Sequence, residues 1–201
     1  MKIEDLRSEW REAFTDEMFN AVLVSISDSV TKFFDNGSYN TFTPTLHAVV
    51  ADNKQDSNIA IRVFKLDIPE ENKYGSIVRQ CFLFSGSEPR PYLCFFLAAP
   101  AWHVDRENPD EGGPVSQDPT RKEAIAISGI TPDLRVNMSL LNIARHGKKG
   151  YISVTSTLMV ESEDSAEVKP PPVMKAVVAG YTEGYYEFFT KKRKAKYRNA
   201  H

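Results

Sequence analysis

Apolar residues recur at intervals of three or four near the start of the chain, which is the period of an amphipathic helix. A first helix is predicted over residues 3–14. A second helix is predicted to follow Thr15 and to stop at Asn36-Gly37, because glycine favours a helix end. Its wide apolar stripe consists of Met18, Phe19, Val22, Leu23, Ile26, Val30, Phe33 and Phe34. Residues 1–37 are therefore interpreted as an N-terminal helical extension.

After residue 44 the pattern changes to alternation of apolar and polar positions, which is typical of β-strands. A strand over residues 46–51 and a partner beginning at Ile59 are predicted to form a hairpin. A helix is predicted from Asp67-Ile68-Pro69 to about Phe84. Residues 92–99 are apolar at consecutive positions, so they are predicted to form a central strand that is buried on both faces. Pro100 is expected to end that strand.

Three more strands are predicted in the second half of the chain, over residues 123–130, 134–140 and 151–160. The last two are expected to be antiparallel partners joined by a turn at the sequence HGKKG. Residues 161–172 have the composition of a solvated linker, and a last helix is predicted after Pro172.

This order of elements predicts an α+β fold: a mostly antiparallel sheet of about five to six strands with helices packed on one face. One domain is predicted over residues 1–190, with the sheet core over 44–160 and a C-terminal helix over 172–190. Residues 191–201 are predicted to form a basic tail.

The composition is that of a globular protein, with 201 residues of which 41% are hydrophobic. No run of 18 apolar residues is present, so no membrane partner is predicted. The sequence MKIEDLRSEW has acidic residues where a secretory leader would be apolar. Cys81 and Cys94 lie in apolar surroundings and are predicted to be buried thiols, which favours a cytoplasmic location.

Charge is distributed unevenly along the chain. The formal net charge is −2, but six basic side chains are concentrated in residues 191–198, and the remainder carries 19 basic and 27 acidic residues. The six are Lys191, Lys192, Arg193, Lys194, Lys196 and Arg198. They are candidates for binding nucleic acid, because cationic side chains release counterions from phosphates. Pairing with acidic groups of the same or a neighbouring chain, or a purely solubilising role, is also open.

His103 and Asp105 are the candidate catalytic residues, because positions i and i+2 project to the same face of a strand. They suit a general base with its orienting carboxylate, or two metal ligands completed by Asp110, Glu111 or Asp118. The alternative is an exposed histidine at a strand end. No phosphate-binding loop, zinc-protease motif or nucleophile elbow is present. No cofactor and no metal are therefore predicted, and an enzyme is the less favoured class.

Trp102, Arg121 and Glu123 are the candidate binding residues. Arg121 can pair with a carboxylate and clamp the acidic loop after residue 104, while Trp102 covers the strand end. The functional alternative is a binding surface with Trp102 as its aromatic anchor and Arg121 recognising a carboxylate or phosphate.

The same region carries a resemblance to a group of proteins. An apolar strand ending in Ala101-Trp102, an acidic loop, and then Pro119, Arg121 and Glu123 leading into a strand resemble a pattern in uncharacterised small α/β proteins of bacteria and their phages. The resemblance covers residues 44–155. It implies a small α/β fold and no particular chemistry, and the segments before and after it are additional.

Gly180 and Gly184 share one face of the last predicted helix, which suits close approach of another backbone. That helix is expected to pack on the sheet or to mediate a homodimer. The function predicted from these observations is a non-enzymatic binding or assembly module that self-associates, binds a protein partner and is encoded by a phage or mobile element. The alternatives are a nucleic-acid-associated protein that uses the basic tail and an enzyme with a site near His103 and Asp105.

Overall fold

The computed structural model describes residues 14–35, 42–51, 59–87, 92–104, 114–144 and 170–191, which form three α-helices and five strands. In chain order these are α1 (Asp16–Asp35), β1 (Thr45–Ala51), β2 (Ile59–Lys65), α2 (Lys73–Ser85), β3 (Tyr92–His103), β4 (Lys122–Ile130), β5 (Val136–Asn142) and α3 (Pro172–Tyr185). Short 3₁₀ turns at Glu70–Asn72 and Val115–Gln117 precede α2 and β4, and α3 continues as a π-helix over Tyr186–Lys191. The predicted helix over residues 3–14, apart from Phe14, and the predicted strand over 151–160 lie outside the described residues.

The five strands form one sheet in the order β2-β1-β3-β4-β5, and every neighbouring pair is antiparallel. The α+β class and the antiparallel sheet are therefore confirmed. β3 is the central strand, as its uninterrupted apolar sequence predicts, and its first seven residues are buried.

Alternate residues of β3 belong to two apolar cores, one on each face of the sheet. On the first face, called the α1 face, the buried stripe of α1 packs with Cys94, Phe96 and Ala98. On the second, called the α2/α3 face, both other helices pack with Phe95 and Leu97. The expectation that the helices pack on one face is therefore wrong. A strand that is apolar on both sides needs a cover on each side, because exposing either would cost the burial of its side chains.

The prediction that Pro100 ends the central strand is also wrong, since β3 continues to His103. β1 begins at Thr45, which is paired with Ala98, so Pro100 lies beyond β1 and pairs only with Ile125 of β4. Pro100 therefore has a paired strand on one side only, and prolines within sheets are confined to such edge positions. The β3–β4 pair consequently projects beyond β1.

The last helix packs on α2 and on the sheet, which confirms the docking predicted for it. Gly180 lies against the backbone of Val78, and Gly184 meets the last turn of α2. Tyr181 is buried, and its ring centroid lies 4.6 Å from that of Phe95 in the central strand. The two glycines therefore allow the helix backbones to approach closely while neighbouring side chains fill the core.

A candidate binding surface at the end of the central strands

The projecting end of the β3–β4 pair brings together residues that are distant in sequence. Trp102 is paired with Glu123, and His103 is paired with Lys122. Strand alternation places Trp102 and Glu123 on the α1 face, and His103 and Lys122 on the opposite face. Alternation along β3 thus places Trp102 and His103, which belong to different predicted sites, on different sides of the sheet.

Arg121 completes the group on the α1 face. Its guanidinium carbon lies 4.9 Å from the centroid of the Trp102 ring, which is the geometry of a cation–π contact. Such a contact stabilises an exposed site by about 0.5 to 1 kcal/mol. Trp102 nevertheless remains 51% exposed. Trp102, Arg121 and Glu123, called here the Trp102 platform, therefore present an aromatic ring and a cation on a strand-supported surface.

A tight turn holds the residue that precedes β4. The backbone N–H of Arg121 donates to the carbonyl oxygen of Asp118 at 3.2 Å. The carboxylate oxygen Oδ1 of Asp118 accepts bonds from the backbone N–H and the hydroxyl of Thr120, at 2.9 and 2.7 Å. Aspartate in the first position and Pro119 in the second are the preferred residues for such a turn. The sequence Asp-Pro-Thr-Arg thus positions Arg121 beside Trp102.

We expect Asp118→Ala to loosen this turn and to expose the Trp102 ring further. Asp118→Asn is the matched control, because asparagine keeps an oxygen that can accept the same two bonds. With Trp10→Phe as background, Trp102 is the single tryptophan. Acrylamide should quench the Trp102 fluorescence more strongly in the alanine variant than in the protein with Asp118. The asparagine variant should be quenched to the same extent as the protein with Asp118. Equal quenching in all three proteins would contradict this role of Asp118.

The pair of His103 and Asp105 stays a prediction from sequence. His103 is half-buried on the α2/α3 face, and Asp105 lies outside the described residues. The carboxylate of Asp118, considered above as a metal ligand, serves instead as the acceptor of the turn. Within the part of the chain that the structure describes, no group of three His, Cys, Asp or Glu side chains could hold a metal ion.

The basic tail lies almost entirely outside the described residues. Lys191 is the last residue of the π-helix that continues α3, and the other five basic residues follow it. Their binding of nucleic acid therefore stays a prediction from sequence. The two cysteines, in contrast, are confirmed as buried free thiols. Burial raises the pKa of Cys81 to about 12, so this thiol is un-ionised at neutral pH.

Two polar residues that the sequence did not single out have defined structural roles. Arg135 donates to the carboxylates of Asp16 and Asp133 and to the carbonyl oxygen of Phe14, and so ties the start of α1 to the β4–β5 turn. His47 is buried in β1, and burial lowers its pKa to about 4. Alternation in strand β1 could have indicated an inward histidine, whereas Arg135 follows no recognisable spacing.

Among the described residues, no helix is both long and apolar enough to cross a membrane. No known protein family model, curated protein or solved structure matches the chain.

Proposed function

We propose that this protein is a non-enzymatic binding module, and that the Trp102 platform holds a partner carrying a carboxylate or phosphate beside an apolar group. The observation that carries this proposal is the half-exposed Trp102 ring with the Arg121 guanidinium over it. Tryptophan and arginine are the residue types most enriched among side chains that dominate protein interfaces.

The chemistry of the platform favours an anionic partner. A guanidinium has five N–H donors, so it can contact the tryptophan ring by its face and still bind a carboxylate or phosphate by its edge. Trp102 supplies apolar area at low entropic cost, because its side chain has only two rotatable bonds. Glu123, opposite Trp102, limits the affinity for anions through like-charge repulsion.

Titration of the Trp10→Phe protein with hexaglutamate and with inorganic phosphate, followed by Trp102 fluorescence, tests the proposal. We expect a saturable change in emission with at least one of the two probes. Arg121→Ala should weaken binding by about tenfold or more, because it removes a charge-assisted interaction. Glu123→Gln should strengthen binding about threefold by removing the repelling charge, an effect of the size of a screened surface pair.

Lys122→Ala is the matched control for this titration. Lys122 is exposed and adjacent to Arg121, but it belongs to the opposite face of the sheet. If the anionic probe binds at the Trp102 platform, Lys122→Ala should bind it with almost the wild-type affinity. Equal weakening by Arg121→Ala and Lys122→Ala would show only a general charge effect, and an unchanged emission with both probes would contradict the proposal directly.

A further inference from the structure

A second surface of the sheet is suited to a copy of the same chain. β2 is an outer strand of the sheet in the described part of the chain, and it pairs with β1 along one edge only. An outer strand offers backbone N–H and C=O groups to another strand. Proteins protect such edges with charged side chains, proline or a bulge. Ile59–Lys65 contains no proline, and the one irregularity of β1 lies on its β3 side. The charged side chains of β2 are Arg62, which alternation places on the α2/α3 face, and Lys65 at the strand end.

The side chains of β2 make this edge apolar on the α1 face. Ile61 is paired with Val49, and Val63 is paired with His47, both of which point to that face. Val63 is nevertheless 56% exposed and Ile61 is 36% exposed. Exposed β-branched residues on one face of an edge strand favour pairing with another strand on that face.

We propose that two copies of this chain associate by antiparallel pairing of their β2 strands across a two-fold axis. A two-fold axis perpendicular to the sheet brings the same patch of each copy together, which makes the contact closed and self-complementary. The two five-stranded sheets then continue as one sheet of ten strands among the described elements. Main-chain hydrogen bonds supply the pairing, and the apolar row supplies its register.

The side chains select one register among those that the symmetry allows. With Ile61 opposite Ile61 of the second copy, Ile59 lies opposite Val63 and Ala60 lies opposite Arg62. The apolar row is then continuous across the axis, and each arginine faces a small residue. A shift that centres the pairing on Arg62 would place two like charges directly opposite each other, which destabilises a strand pair.

This inference does not depend on the Trp102 platform, which lies at the projecting end of β3 and β4, so the two proposals fail separately. Single-cysteine variants test the register, since the native thiols of Cys81 and Cys94 are buried. Ile61→Cys places its thiol opposite its own copy, at a separation compatible with a disulfide. In the proposed register, the two thiols of Arg62→Cys are diagonal neighbours, offset by two residues along the strands. The two thiols of Val63→Cys are offset by four residues, which is about 13 Å along the strands.

We expect oxidation with diamide to cross-link Ile61→Cys into a covalent dimer at least tenfold faster than Arg62→Cys or Val63→Cys. Fastest cross-linking of Arg62→Cys, or equal rates for all three, would overturn the register. Light scattering across the micromolar range provides the second measurement, on the full chain. The mass of the wild-type protein should rise with concentration to twice the monomer value. The Val63→Lys variant should keep the monomer mass over the same range.

Val24→Lys is the control for that substitution, because Val24 is 48% exposed on α1 and lies outside the proposed interface. It should dimerise as the wild type does, and both lysine variants should keep the wild-type circular dichroism. A wild-type chain that stays monomeric, or a Val63→Lys variant that still dimerises, would overturn the proposed interface. Neither result would affect binding of anions at the platform.

Discussion

Replacing Gly180 by alanine is expected to lower the free energy of unfolding by about 2 to 3 kcal/mol, because the added methyl group has no room between α2 and α3. A Cβ atom at this position would lie 2.9 Å from the Cα of Val78 and still closer to the carbonyl oxygen of that residue. Both are backbone atoms, so the helices must move apart. Alanine gains about 1 kcal/mol of helix propensity over glycine, which offsets only part of this cost.

Gly75→Ala is the matched control for this substitution, since Gly75 also lies within an α-helix. A Cβ there meets only the side chain of Asn72, which is the flexible end of a polar residue and can move. We expect this variant to be unchanged or slightly stabilised. Urea unfolding with a check for equal m-values measures both effects. If Gly180→Ala were as stable as Gly75→Ala, the close approach of α2 and α3 would be wrong.

The two glycines also show how far sequence can predict a fold. Their spacing indicates a shared helix face and a close backbone contact, and the structure confirms that contact. Which backbone approaches is not predictable from the spacing, because α2 and α3 are separated in sequence by the three described strands β3, β4 and β5. The pairing of the two helices follows from the topology of the sheet, in which both helices cover the same face.

The two errors in the predicted fold have a common cause. Apolar periodicity shows which side of each helix or strand is buried, but it does not show which neighbour buries it. The apolar stripe of α1 has to pack on an apolar surface. Because β3 is apolar on both sides, either face of the sheet could have received it. The effect of Pro100 likewise depends on where β1 begins, which is a property of strand register rather than of the residues around the proline.

The sequence was sufficient to select the residues of the candidate site, but not to predict how they are arranged in space. Trp102, Arg121 and Glu123 can be selected from sequence by residue type, and the choice between a loop clamp and a binding surface stays open at that level. A one-residue slip in the β3–β4 register would place Glu123 on the opposite face from Trp102. Only the observed register puts Trp102 opposite Glu123 rather than opposite Lys122.

Acid is expected to reduce the stability of this protein through His47, whose pKa burial lowers from 6.5 to about 4. The residue is 8% exposed, and its Nε2 lies 3.1 Å from the hydroxyl oxygen of Thr45. Below pH 6.5 the unfolded chain binds a proton at this imidazole while the folded chain does not. The contribution of neutral His47 to the free energy of unfolding is therefore complete above pH 6.5. Below that pH it falls by about 1.4 kcal/mol per pH unit, and it is lost by about pH 4.

Comparison with His47→Gln isolates this effect from the titration of the carboxylates, which both proteins share. Glutamine does not titrate and can still bond the hydroxyl of Thr45, although it costs some packing at neutral pH. Urea unfolding of both proteins at pH 7, 6, 5 and 4 should show the variant gaining about 3 kcal/mol relative to wild type as the pH falls. A difference that stays constant over this range would mean that His47 takes up its proton in the folded protein as readily as in the unfolded chain, and that its burial between β2 and β3 carries no penalty for charge.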